Sequence, residues 1–395
     1  MTTLEYFEKA GFPLNPDHNS GNPIGIGLAV NSSNRGLRST AKDLLASAPN
    51  NLTVLTGSPV QRVVLEGKKA VGVESNGKKY LASKEVILSA GSLDTPKILM
   101  HSGIGPKAQL DQHRIPVVQD TPAIGQGLRD HLLLPLIHAR PEGSVERAAF
   151  YQDPSAMASA FEQWKKDGTG PWTKFACAMP TGWFKLPSLV ASAEFQALPV
   201  SEQEYLNHPT VPHYEIMTHL PIHYIVPGFP VPSMSYMCIL VFLYNAQARG
   251  VVTLQSADPA VPLRFDPKFL GTPFDRRVAI EALRDADRVV RDPEGYARDT
   301  LATVAGPAGD TDEDYLEYWR NNVVSSWHMT GTAKMGKTEA EDVVVDNRFR
   351  VFGFEGLRVA DMSVVPVLAS GHLQAVAYLT GLTCAEKLIA EYGLA

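Results

Sequence analysis

Apolar and polar positions settle into a two-residue rhythm after residue 50. Residues 52–56 (Leu-Thr-Val-Leu-Thr) and 60–65 (Val-Gln-Arg-Val-Val-Leu) read as strands, followed by residues 70–74 across Glu66-Gly67-Lys68 and by residues 79–82 across Asn76-Gly77. An Asn-Gly pair is a strong hairpin signal because both turn positions take positive φ. Residues 85–90 (Glu-Val-Ile-Leu-Ser-Ala) are apolar on both faces, as a strand buried in a parallel sheet is. They run through Gly91 into a helix-like stretch over 92–100, where Pro96 suits a first turn. Strand, glycine turn and helix is the format in which backbone N–H groups meet phosphate.

On either side of this region the pattern is looser. Residues 1–50 hold a short helix-like piece, a Gly-, Pro- and Asn-rich loop over 12–27, and a segment where Ser39 or Thr40 caps a helix carrying Leu44 and Leu45. Residues 140–250 carry Trp164, Trp172 and Trp183 and apolar segments at 213–225 and 237–244, mixed with prolines, which points to antiparallel sheet in a substrate-facing lobe. A strand returns over 248–254, and residues 275–291 form an amphipathic helix on Val278, Leu283, Ala286 and Val290. Residues 357–361 read as a strand, and Ser370 to Tyr378 opens a terminal helix.

Composition narrows the function. A chain of 395 residues exceeds the size at which one core stops growing, so two lobes or a core with a large insertion are expected. The net charge of −6 comes with no basic stripe or acidic tail, which excludes nucleic acid and an anionic membrane surface as partners and leaves a small molecule. No apolar run reaches the ~18 residues of a membrane span. The first residues lack the basic and apolar regions of a signal peptide, so a cytoplasmic location is expected. Cys177, Cys238 and Cys384 stand at no metal-ligand spacing and read as buried thiols.

Two motifs compete for attention near the C-terminus. Gly331-Thr-Ala-Lys-Met-Gly336-Lys337-Thr338 spells a phosphate-binding loop, but the acidic Glu339-Ala-Glu-Asp342 and a strand-like Val343-Val-Val follow where a helix is required. Of eleven histidines, His328 and His372 differ by lying in runs of small residues, where a ligand can approach closely, and His372 stands just before the terminal helix. An imidazole at a helix N-terminus is biased towards its neutral form, the form a general base needs at neutral pH. No G-x-G-x-x-G dinucleotide fingerprint occurs: Gly25-Ile-Gly27 and Gly125-Gln-Gly127 lack the third glycine.

Six segments, in order, resemble one family. They are Ser92-Leu-Asp-Thr-Pro-Lys-Ile-Leu-Met-His-Ser-Gly-Ile-Gly105, Ile124-Gly-Gln-Gly-Leu-Arg-Asp-His131, Arg249-Gly-Val-Val-Thr-Leu with Ser256-Ala-Asp-Pro, Trp327-His-Met-Thr-Gly-Thr-Ala-Lys-Met-Gly336, Arg358-Val-Ala-Asp-Met-Ser-Val-Val-Pro366, and Ser370-Gly-His-Leu-Gln-Ala-Val-Ala-Tyr378. Together they resemble the glucose-methanol-choline (GMC) flavin oxidoreductases, and the resemblance spans nearly the whole chain. It implies an FAD-dependent enzyme that oxidises an alcohol by hydride transfer to flavin N5. On that resemblance His328 is the base that takes the hydroxyl proton and His372 hydrogen-bonds the substrate oxygen. Val60 touches adenine through its backbone, Ala90 and Gly91 pass the nucleotide, Asp361 and Met362 lie along the pyrophosphate and ribityl chain, and Gln374 approaches the isoalloxazine.

This sequence departs from the family pattern at its start. The strand, glycine loop and helix with which the family begins, and its flavin-attachment segment, are not in it, and Gly127 replaces an expected asparagine. The expected fold class is therefore α/β (α+β), an incomplete FAD-binding three-layer domain plus a substrate lobe with mixed or antiparallel sheet. The expected division places the remainder of the FAD-binding domain at 1–140, the substrate lobe at 141–320 and the returning catalytic block at 321–395. FAD is expected to be weakly held or absent for want of the dinucleotide motif. A truncated or split form is expected, with a separate chain or a homo-oligomer supplying the missing half and exposed strand edges following. The alternatives are a flavin-free descendant doing histidine acid/base chemistry, as an isomerase, lyase or cyclase, and a non-catalytic interaction module.

Overall fold

Asn76 and Gly77 both hold positive φ, 51° and 75°, so their two-residue turn matches the twist of its flanking strands. In the computed structural model this turn joins Lys69–Ser75 to Lys78–Leu81, and Val60–Glu66 completes an antiparallel meander. The structure describes residues 2–34, 36–142, 146–177, 179–220, 235–338 and 342–394. It divides into two compact units: Met1–Thr53, Leu132–Asn245 and Thr272–Ser326 form the first, and Val54–His131, Ala246–Gly271 and Trp327–Ala395 the second.

The first unit is built on an antiparallel sheet. Its central strands, Leu132–Ala139 and Tyr236–Leu243, are buried at every position because their sequences are apolar on both faces. Tyr214–Thr218, Pro180–Phe184 and Gly25–Leu28 extend one side, and Ala302–Ala305 the other. The lead-in residues join this unit because Gly25–Leu28 pairs with Pro180–Phe184, a register that no local pattern carries. The helix Pro273–Val290 packs its apolar stripe, including Val278, Leu283, Ala286 and Val290, inward. Its start is fixed by a capping box between Thr272 and Asp275. Of the apolar segment expected over 213–225, residues 221–225 lie outside the described residues.

The second unit holds the meander and a parallel pair, Val86–Leu88 with Leu357–Val359. Their inward side chains join Val63, Ile98, Leu99, Ile124 and Val345 in one core. The expectation that residues 85–90 are buried on both faces needs correction. Val86 and Leu88 are buried, but Ile87 is 42% exposed, as alternation along a strand with one packed face requires. The strand expected over 52–56 does not form either. Leu52, Val54 and Leu55 are at least half exposed, and alternation without a pairing partner makes no ladder. The fold is mixed α and β, with antiparallel sheets and a short parallel element.

One polar group ties the terminal helix Gln374–Tyr392 to this parallel pair. Arg358, 1% exposed, donates to both oxygens of Glu85 (2.5 and 2.8 Å), to Glu391 (2.9 Å) and to the Arg348 carbonyl (2.7 Å). Tyr392 also donates to Glu85 at 2.6 Å, and the Arg358 guanidinium holds the Glu85 carboxyl below the usual range. Arg358→Met leaves Glu85 with an uncompensated charge and is expected to cost about 3 kcal/mol or more. Urea unfolding reads this, and a loss below about 0.5 kcal/mol would show that the pair is no anchor.

Candidate active site

Trp327 carries φ of 61°, a conformation that costs a bulky residue on the order of 1–2 kcal/mol. The backbone beyond it holds the kink in place. The His328 N–H donates to Asp130 Oδ1 (2.8 Å), and Thr330 exchanges two backbone hydrogen bonds with Arg129 (3.0 and 3.1 Å). On another side the helix Gly91–His101 grips the same block: Ser92 Oγ donates to the Met329 carbonyl (2.7 Å), and Thr332 Oγ1 donates to the Ser92 carbonyl (2.6 Å).

That last bond explains Pro96. The helix begins at Gly91, so Pro96 lies inside it rather than in its first turn. Proline has no N–H for the carbonyl four residues back, which is that of Ser92, and the Thr332 hydroxyl supplies the missing donor. Gly331, at φ of 87°, is needed for a close approach, since a Cβ there would stand 2.9 Å from the Gly127 carbonyl oxygen. No helix forms over residues 331–338, so the phosphate-loop spelling lacks its scaffold.

The block brings three imidazoles together. The rings of His328 and His372 lie 5.3 Å apart, centre to centre, at 88°. His131, fully buried, lies 5.0 Å from His328, also edge to face, with their Nδ1 atoms 2.9 Å apart. Burial pushes the pKa of His131 well below the ordinary histidine value. The charges of His328 and His372 push the same way, and a backbone hydrogen bond with Ala369 opposes them. Among the described residues no group of three or more His, Cys, Asp or Glu is arranged to hold a metal ion.

Most of the expected nucleotide-facing residues gather at the carboxyl ends of the parallel strands, where ligands of open α/β sheets bind. Asp361 accepts from the Gly91 N–H (2.9 Å), from Thr95 Oγ1 (2.5 Å) and from the Ser363 N–H (2.7 Å). Thr95 Oγ1 in turn accepts from the Ala90 N–H (3.1 Å). Asp361 thus spends its oxygens on its own backbone frame. The histidine block adjoins this frame, because the Gly331 N–H donates to the Met362 carbonyl and the Ala333 N–H to the Ser363 carbonyl. Space is open in front of Gly91, where an added Cβ would meet no atom of the described residues within 4 Å. Val60 and Ala90 line a cavity of about 1130 Å³, together with Asp94 and Lys97. Gln374 opens the terminal helix and is exposed.

Residues 2–133 match the N-terminal part and residues 246–381 the C-terminal part of the GMC oxidoreductase family. The chain belongs to that family. It is 32% identical to the dehydrogenase pkfF of Emericella nidulans over 86% of this chain and 54% of that protein. It is 30% identical to an oxygen-dependent choline dehydrogenase of Sinorhizobium medicae over 99% of this chain and 68% of that one. A formate oxidase of Aspergillus oryzae, whose structure was solved to follow FAD modification, shares the GMC fold with a TM-score of 0.87 at 24% identity, covering 98% of this chain and 70% of its own. The chain spans roughly half to two thirds of the length of such curated GMC relatives.

Sequence reasoning left four contributors to this GMC block without a role: His131, Asp130, Thr95 and Thr332. Asp130-His131 closes one of the family segments, but nothing local reports that His131 meets a ring 197 residues away. A proline inside an expected helix was the one available signal for Thr332, since it announces a carbonyl in need of a donor.

Proposed function

We propose that this chain takes part in FAD-dependent oxidation of a small alcohol, with His328 as the base and His372 as the hydrogen-bonding partner of the substrate oxygen. The contact between the two imidazoles, on a block hydrogen-bonded to the Met362–Ser363 backbone, carries this reading. When bound, FAD supplies the two-electron acceptor that takes hydride from the CH–OH carbon. The hydroxyl proton goes to His328, and a carbonyl compound is left. Gly91 suits the nucleotide because space is open in front of it, Val60 and Ala90 because they line one cavity, and Asp361 and Met362 because Asp361 holds the Gly91 backbone at the same strand ends. Gln374 would meet the flavin ring from the start of the terminal helix.

The name of one relative, oxygen-dependent choline dehydrogenase, favours a small alcohol as substrate. Among the described residues no helix is long and apolar enough to cross a membrane, and a cytoplasmic site of action belongs to this proposal. So does a second chain or a second copy over Ile87, or over Tyr378, Leu379 and Leu382 of the terminal helix, all of which are exposed apolar residues.

The purified chain mixed with FAD is expected to take up the flavin and show its visible absorption. That absorption should bleach when an alcohol is added without air. A folded protein that stays colourless sinks the reading for this chain. Flavin-free acid/base chemistry is the second reading, favoured by an imidazole cluster complete within one unit. It requires turnover that depends on His328 or His372 with no flavin present.

A further inference from the structure

We propose that Asp130 is the positioning residue of this site: its carboxylate takes the backbone N–H of His328 out of a β-ladder and so holds the Trp327 kink that aims the His328 imidazole. The catalytic meaning of this assignment rests on the proposed role of His328, but the backbone assignment does not.

Arg129 and Thr330 set the frame. They face each other across an antiparallel bridge and exchange both backbone hydrogen bonds, at 3.0 and 3.1 Å. In such a ladder the hydrogen-bonded pairs recur at every second residue, so the next pair of this register is His131 with His328. An undisturbed ladder would send the His328 N–H to the His131 carbonyl. It goes instead to Asp130 Oδ1, at 2.8 Å. A side-chain oxygen has taken the place of a ladder carbonyl, and the chain leaves the ladder at the residue proposed as the base.

The departure is strained and needs an anchor. Trp327 holds φ of 61°, a conformation that a bulky side chain leaves when nothing fixes it. Asp130 is 6% exposed, so water competes little for its bond to the His328 N–H, and an ionised acceptor makes that bond a strong one. Its neighbour completes the arrangement: Asp130 holds the His328 backbone, and the His131 ring meets the His328 ring edge to face, 5.0 Å centre to centre. Without the carboxylate Trp327 relaxes to negative φ and turns the imidazole away, while the Arg129–Thr330 pair keeps the rest of the block in place.

The test uses the full chain and backbone amide hydrogen exchange followed by NMR, with no flavin required. In wild type the His328 amide is expected to exchange at least about tenfold more slowly than an unprotected amide. Asp130→Ala should remove that protection. Asp130→Asn, whose side-chain carbonyl accepts the same bond, should keep most of it. The Thr330 amide, held by the ladder, should stay slow in all three proteins, which separates a local anchor from a general loss of structure. With flavin loaded, Asp130→Ala should lower kcat for an alcohol about 100-fold with little change in KM, as a misplacement of about 1 Å does, and Asp130→Asn should recover kcat to within about tenfold of wild type.

A wild-type His328 amide that exchanges freely overturns the assignment, even if no variant folds. An amide that stays protected in Asp130→Ala overturns it as well, and so does a Thr330 amide that loses its protection in the same variant. An unchanged kcat once the His328 amide is freed removes the positioning role. The expected exchange pattern in a protein whose flavin-loaded form turns over no alcohol sinks the oxidation reading and supports the backbone assignment alone.

Discussion

His328→Ala is expected to lower alcohol turnover in the flavin-loaded protein by two to four orders of magnitude, about 3–5 kcal/mol of barrier. A general base is worth that much when it takes its proton on the way to the transition state. For the same reason kcat and kcat/KM should fall together, while substrate affinity stays near its original value. The variant is a clean one because the contact anchoring this position, the N–H to Asp130 Oδ1 at 2.8 Å, belongs to the backbone and survives the change. Flavin uptake should be unaffected, since Ala90, Gly91 and Asp361 are held together by bonds in which the imidazole has no part. On its proposed role, His372 donates a hydrogen bond to the developing alkoxide, and His372→Ala should then cost about 100-fold. The two losses should not add, because in the proposed mechanism both groups act on one oxygen. Steady-state kinetics with His328→Ala decides the matter: turnover within about threefold of wild type removes His328 from the base role.

The parts of this molecule that were legible in its sequence are those whose structure depends on near neighbours. The meander over Val60–Leu81 follows from alternation and from Asn76-Gly77, whose φ values of 51° and 75° are what the dipeptide announces. The helix Pro273–Val290 follows from its apolar stripe. Residues 52–56 carry the same alternation and form no strand, because a strand also needs a partner that alternation does not specify. The pairing of Gly25–Leu28 with Pro180–Phe184 joins segments far apart in the chain and left no local trace. The site divides the same way. His328 and His372 could be singled out by the small residues around them, but the partner of His328 could not, since His131 sits at the end of an ordinary Asp-His pair and acquires its role only through the contact.

Acidification from about pH 7 to about pH 5 is expected to remove a large share of the stability of the first unit, through histidines that the proposed reaction does not use. His138, His213 and His219 lie in this unit, and burial pushes each from the ordinary 6.5 down to about 4. His213 shows why. Its Nδ1 accepts from the Leu186 N–H (2.9 Å) and its Nε2 faces the Leu206 carbonyl (3.1 Å), so a second ring proton would point at a donor. In the unfolded chain the same ring titrates near 6.5. Between that value and about 4 the unfolded state binds more protons, so stability is complete above 6.5 and falls as the pH drops through this window. At pH 5 each such ring costs about 2 kcal/mol. His138 and His213, 4% and 1% exposed, together cost about 4 kcal/mol, a large share of the 5–15 kcal/mol that domains usually possess. Carboxylates do not fail first. Asp299 is held below its usual range by Arg298 and Tyr6, and its contribution is lost only in stronger acid. Urea midpoints followed by tryptophan fluorescence should therefore fall steeply below about pH 6.5. His138→Leu should flatten that fall by about one proton, since Nδ1 of His138 is buried without a hydrogen-bond partner among the described residues and an apolar side chain fits its surroundings. Midpoints that hold steady down to about pH 5 would mean that these rings accept protons in the folded state as readily as in the unfolded one.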